Sequence, residues 1–155
     1  MNYLALKFNS NLIPMKKITL LSILSLLIFS CSKPGCTDPI AKNYSSSAKK
    51  DDGSCTYETK LIFWQDLAAA NSWGPLSVTS LKYYVDGNYI GSSIATEYYT
   101  SQPSCSAAGQ ASYTINLGKN TSQSVNIKVT DQTGFTWYDE FVTVTNAECN
   151  YYQVY

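Results

Sequence analysis

The sequence predicts an all-β protein, and three observations predict it. From Thr59 onward, apolar and polar residues alternate with a period of two. Clusters of Gly, Asn and Asp interrupt the alternation at short intervals, and no stretch sustains helical spacing.

Leu61 to Trp64 opens the pattern as a first strand, and Asp66 to Asn71 is the best helical candidate, about a turn and a half long. Leu81, Tyr83 and Val85 alternate with Lys82, Tyr84 and Asp86, after which Asp86-Gly87-Asn88 predicts a hairpin into Tyr89-Ile90-Gly91. Tyr113, Ile115 and Leu117 alternate with Ser112, Thr114 and Asn116. Gly118-Lys119-Asn120 then predicts a second hairpin, toward Val125, Ile127 and Val129. Asp131-Gln132-Thr133-Gly134 leads into Phe135 to Thr145, and Tyr151 to Tyr155 supplies a terminal strand. About seven antiparallel strands in residues 59–155 suit an immunoglobulin-like sandwich with one face of each strand packed inward, and a small barrel is the alternative.

The N-terminal segment reads differently. Met15, Lys16 and Lys17 make a positively charged start, and Ile18 to Phe29 make an apolar run of 12 residues, the length of a secretory signal and too short to span a bilayer. Its exit, Leu27-Ile28-Phe29-Ser30-Cys31, resembles the lipobox of bacterial lipoproteins, although Phe29 is bulkier than that motif usually carries. The resemblance implies cleavage before Cys31 and its lipidation. Residues 1–30 are thus expected to be an upstream extension plus signal peptide, with the protein held by lipid at the cell envelope, on the outer membrane.

Composition excludes much chemistry. The chain has no histidine, so no Ser-His or Cys-His pair and no imidazole-bound zinc exists. Arginine is absent too, and from residue 31 on eight lysines face eleven carboxylates. Such a surface lacks the counter-charge and the guanidinium forks that nucleic acids require. Asp139-Glu140 is the only adjacent carboxylate pair of the larger domain, and neighbours on a strand point to opposite faces, which argues against a two-carboxylate glycosidase. The expectation is a protein that is not an enzyme.

Setting Cys31 aside leaves Cys36, Cys55, Cys105 and Cys149, an even number in a segment expected to be exported. Three pairings exist on paper. Locality favours Cys36 with Cys55 and Cys105 with Cys149, each pair bracketing its own compositional block.

Gly35-Cys36-Thr37-Asp38-Pro39-Ile40-Ala41-Lys42-Asn43-Tyr44, followed by Asp51-Asp52-Gly53-Ser54-Cys55-Thr56-Tyr57, is too rich in turn formers to build a core alone. This stretch of 23 residues resembles a cysteine-bracketed module, GCTDPxAxNYxxxAxxDDGSCxY, that recurs in exported proteins of the Bacteroidota. The resemblance implies lineage and export and carries no activity. Residues 31–58 are expected to form the anchor and a disulfide-stapled spacer, and 59–155 a separate domain. The Asp51-Asp52-Gly53 turn offers hard oxygen ligands for calcium, but the alternation of an EF-hand is missing, and local Asx-turns with no metal are the preferred reading. Val85-Asp86-Gly87-Asn88-Tyr89-Ile90-Gly91 resembles the hairpin of PEGA-like and other small sandwich domains of surface lipoproteins.

Twelve of the thirteen tyrosines and all three tryptophans follow Cys31. Trp64 and Trp137 are expected in the core. Trp73, beside Gly74-Pro75, is the tryptophan expected at the surface, and of the pairs Tyr98-Tyr99 and Tyr151-Tyr152 one ring each is expected to face outward. Exposed rings suit a glycan or an envelope protein as partner, set against the plain preference of tyrosine for sheets. The leading expectation is a non-catalytic, lipid-anchored envelope protein; the alternative is a glycan-binding lipoprotein using Trp73, Tyr98, Tyr99, Tyr151 and Tyr152.

Overall fold

The computed structural model describes residues 32–155, so the predicted signal and Cys31 lie outside the described residues. Along the chain run β1 (Pro34–Gly35), β2 (Lys50–Asp51), β3 (Tyr57–Trp64), α1 (Leu67–Trp73), a 3-10 turn (Gly74–Leu76), β4 (Ser80–Val85), β5 (Asn88–Ile94), β6 (Ala111–Gly118), β7 (Ser122–Asp131), β8 (Thr136–Thr145) and β9 (Cys149–Gln153). The prediction of seven strands after the short module matches β3 to β9.

Local turns decide which strands share a sheet. Asp86 and Gly87, alone between β4 and β5, take φ of 48° and 77°, the doubly positive geometry of a two-residue hairpin turn. Asp86 Oδ1 also accepts from the Asn126 amide at 2.9 Å, tying the turn to β7. β4 and β5 therefore stay in one sheet, as do β7 and β8, and the four strands lie in the order β5-β4-β7-β8. The other sheet is β6-β3-β9, in which β9 runs parallel to β3 and β6 antiparallel to it.

Two expectations are corrected here. β6 and β7 do not form a hairpin: β6 pairs with β3 and β7 with β4 and β8, so Gly118 to Asn120 is a corner between sheets. The cause lies in the turn: Gly118 takes φ 58°, and the Asn120 amide closes on Leu117 O at 3.0 Å, deflecting the chain out of its sheet. The order also departs from the immunoglobulin arrangement, which places its third, sixth and seventh strands on one sheet. Here the first, fourth and seventh of the large-domain strands share a sheet, because both tight hairpins hold their partners together.

The inward side chains of both sheets form one buried cluster, including Leu61 and Phe63 of β3, Leu81 and Val85 of β4, and Val125, Ile127 and Val129 of β7. Each such side chain contributes about 1.5–3 kcal/mol on burial. Phe63 and Tyr83 meet across the sheets with ring centroids 5.0 Å apart.

The structure pairs Cys36 with Cys55 and Cys105 with Cys149, at Cα separations of 4.8 and 5.8 Å. The expected boundary at residue 58 does not divide the fold. It falls inside β3, residues Lys33–Tyr155 form one compact unit, and Cys36, Ala41, Cys55 and Tyr57 belong to the same buried cluster as the sheets. Tyr57 is the physical reason: it ends the cysteine-bracketed segment, opens β3, and donates from its hydroxyl to Asp38 Oδ2 at 2.7 Å.

Candidate functional site

β5 is an edge of the four-stranded sheet and β6 an edge of the three-stranded one, so the connection 95–110 must cross the open side between them. Gln65, just past the end of β3, fixes that crossing. It is 3% exposed, its Nε2 donates to Ala95 O at 2.8 Å and Glu97 O at 2.6 Å, and its backbone carbonyl accepts from the Tyr99 amide at 2.9 Å. The Cys105–Cys149 bridge holds the far part of the same connection to the first residue of β9.

Beneath this connection lies a cleft of about 310 Å³, walled by Trp64, Tyr98 and Tyr99, with Glu97 and Gln110 as polar groups. Tyr83 and Ser93 also line it, their hydroxyl oxygens 2.7 Å apart. Burial pushes the Tyr83 phenol above its usual range, so it stays a neutral hydrogen-bonding group. Gln110 Oε1 is shut off from solvent and has no donor among the described residues, while its Nε2 reaches Ser104 O and Cys105 O only at 3.5 Å. A shielded acceptor without a partner is costly.

A second cleft of about 330 Å³ shares the two tyrosines and is lined by Asp66, Leu67, Ala68, Tyr98, Tyr99 and Thr100. A larger hollow of about 460 Å³, beside Lys42, Glu58, Lys60 and Cys105, has no aromatic side chain among the described residues that line it.

Of the predicted ligand-binding residues, the structure brings Tyr98 and Tyr99 together, Tyr98 being exposed and Tyr99 half-buried. Trp73 is corrected: it is 2% exposed, inside the core. Gly74-Pro75 does not open a loop there. Asp66 Oδ1 caps the helix by accepting from the Ala69 amide at 2.9 Å, α1 runs on to Trp73, and Pro75 sits where a 3-10 turn accepts it. The Trp73 indole meets Trp137 edge-on at 5.2 Å and donates to Gln65 Oε1 at 2.8 Å.

Tyr151 and Tyr152, both half-buried, lie on β9 away from the cleft lining. They point to opposite faces, and Tyr152 packs on Phe63 at 5.7 Å and Tyr138 at 5.9 Å. Burial, and then the bond its hydroxyl donates to Glu140, push the Tyr152 phenol far above its ordinary value. Trp64, expected in the core, is half-buried and lines the cleft; its place at the last position of β3 was the signal. Asp139 and Glu140 are exposed on β8 and do not converge: Asp139 accepts from Asn126 Nδ2 at 2.9 Å, Glu140 from Tyr152. In the acidic turn, Asp51 Oδ1 accepts from the Gly53 amide at 3.1 Å and Asp52 Oδ1 from the Ser54 amide at 2.9 Å. Bonds that the Asp52 carboxylate accepts from the Ser54 side chain and then from its amide hold it below its usual range.

No family model matches the chain, and no solved structure matches it. Two curated plant proteins are similar over 23 residues each. Ribulose bisphosphate carboxylase/oxygenase activase from Spinacia oleracea is 74% identical there, and the protein of that name from Oryza sativa subsp. japonica 65%. Each match takes in 15% of this chain and 5% of the plant protein, so this chain spans about a twentieth of those relatives' length.

Proposed function

We propose that this protein is a non-catalytic glycan-binding lipoprotein of the cell envelope, anchored through Cys31 on the outer membrane, and that the cleft under residues 95–110 is its binding site. One observation carries the reading: the aromatic side chains of Trp64, Tyr98 and Tyr99 share a cleft with the polar side chain of Gln110. Aromatic faces stack on the apolar face of a sugar ring, and convergent polar groups take its hydroxyls. Glu97 and the Tyr83–Ser93 hydroxyl pair supply further acceptors and donors. The resemblance of Leu27 to Cys31 to a lipobox supports the anchor.

A glycan array followed by calorimetry on each hit tests the binding. Tyr98→Ala weakens binding about tenfold, equivalent to ~1.4 kcal/mol, while Tyr151→Ala leaves it unchanged. Flat responses across plant, host and microbial glycans overturn the reading. The anchor is checked by palmitate incorporation, expected in the wild type and absent from Cys31→Ala.

A further inference from the structure

Tyr98 and Tyr99 are walls of both clefts, the one of about 310 Å³ beside Trp64 and the one of about 330 Å³ beside Asp66 at the start of α1. The tyrosine ridge is therefore a wall common to two hollows. Gln65, which anchors the ridge through Ala95, Glu97 and Tyr99, lies directly between Trp64 of one hollow and Asp66 of the other.

The charges in the two hollows have one sign. Glu97 lines the first and Asp66 the second, and among the described residues no lysine lines either. Asp66 spends both oxygens internally, Oδ1 on the Ala69 amide at 2.9 Å and Oδ2 on Gln153 Nε2 at 3.1 Å, so its charge is fixed in place. Since the chain contains no arginine, no guanidinium offsets these carboxylates. A ligand carrying carboxylate or sulfate would bring like charges together, and specificity of this kind arises from the repulsive element.

Resting on the glycan reading above, we infer that the ligand is an uncharged oligosaccharide that lies across the Tyr98–Tyr99 ridge with sugar units in both hollows. Uronic, sialylated and sulfated chains are excluded by Glu97 and Asp66. The ridge makes length matter: a single sugar reaches one hollow, a chain reaches both, and the second contact adds without a second loss of translational freedom.

The test uses the full chain in detergent and calorimetric titration. The probes are a neutral oligosaccharide taken from the array, its shorter oligomers down to the monosaccharide, and the same oligomer oxidised at its primary hydroxyls to uronate. The oligomer is expected to bind about tenfold or more tightly than the monosaccharide, and the uronate about tenfold or more weakly than its neutral parent at low salt. Glu97→Gln narrows the second gap, and Ala68→Trp, which fills the second hollow, weakens the oligomer while sparing the monosaccharide. Equal or tighter uronate binding, or no gain with length, overturns this inference and leaves the glycan reading standing. Binding of no glycan at all removes both.

Discussion

The Trp73 indole donates to Gln65 Oε1 at 2.8 Å, and through that glutamine the end of α1 is bonded to the connection that walls the cleft. A buried side chain with all its hydrogen-bonding groups engaged fixes one geometry, because any displacement leaves several groups without partners.

Gln65→Leu keeps the volume and removes the polar contacts, leaving the Trp73 N–H and the Ala95 and Glu97 carbonyls to find new partners. The expected loss is about 2–4 kcal/mol in urea denaturation, with weakened glycan binding at temperatures where the protein is still folded. Trp73→Phe loses the N–H and part of the ring, and should cost roughly 1–3 kcal/mol.

The bridge between Cys105 and Cys149 closes 44 residues of sequence separation and ties the cleft's connection to β9. Replacing both cysteines by serine should cost about 4 kcal/mol in the chain-entropy model. Non-reducing peptide maps should show this bridge and Cys36–Cys55, with no cross-link between them. Removing Cys36 and Cys55 should cost about 3 kcal/mol and lower the melting temperature of the whole fold, since both half-cystines sit in the shared core.

Asp131 makes the stability pH-dependent. Its carboxylate accepts from the Thr133 amide and hydroxyl at 2.8 and 2.6 Å, the Phe135 amide at 3.1 Å and the Trp137 indole at 3.2 Å. These bonds, Thr133 first, hold its pKa below the ordinary 3.8. A carboxyl depressed in the folded state adds stability that is complete above the unfolded value and fades as pH falls through the folded one. Melting temperature should therefore drop as pH is lowered below about 4, and Asp131→Asn should flatten that drop while lowering stability at neutral pH.

Gly87→Val forces a branched side chain into φ 77° at the β4–β5 turn. The expected cost is about 1–2 kcal/mol, read as a shift of the urea midpoint with an unchanged slope.

The strands were legible because alternation survives in β4, β6 and β7, where Leu81, Tyr83, Val85, Ile115, Leu117, Val125, Ile127 and Val129 are all buried. Sheet membership was not, since the Gly118 turn carries the composition of a hairpin while its backbone makes a corner. Tyr98 and Tyr99 could be singled out from sequence because adjacent rings cannot both enter a core. Trp73 misled because Gly-Pro reads as a loop, whereas proline is equally at home in the first turn of a helix. Gln65 carried no local signal, because its role depends on partners some 30 residues away.

β3 sits in the middle of its sheet with β9 as a parallel neighbour, and Asn150 Nδ2 donates to Thr59 Oγ1 across 91 residues of sequence. The hairpins β4–β5 and β7–β8 close over short loops and can form early, whereas β3 stays short of one ladder until Cys149 to Gln153 arrive. A topology of this contact order folds slowly, and the delay falls on the element that ends in Trp64 and Gln65. The end of β3 that borders the cleft is thus completed late, once the final strand has docked beside the first long one.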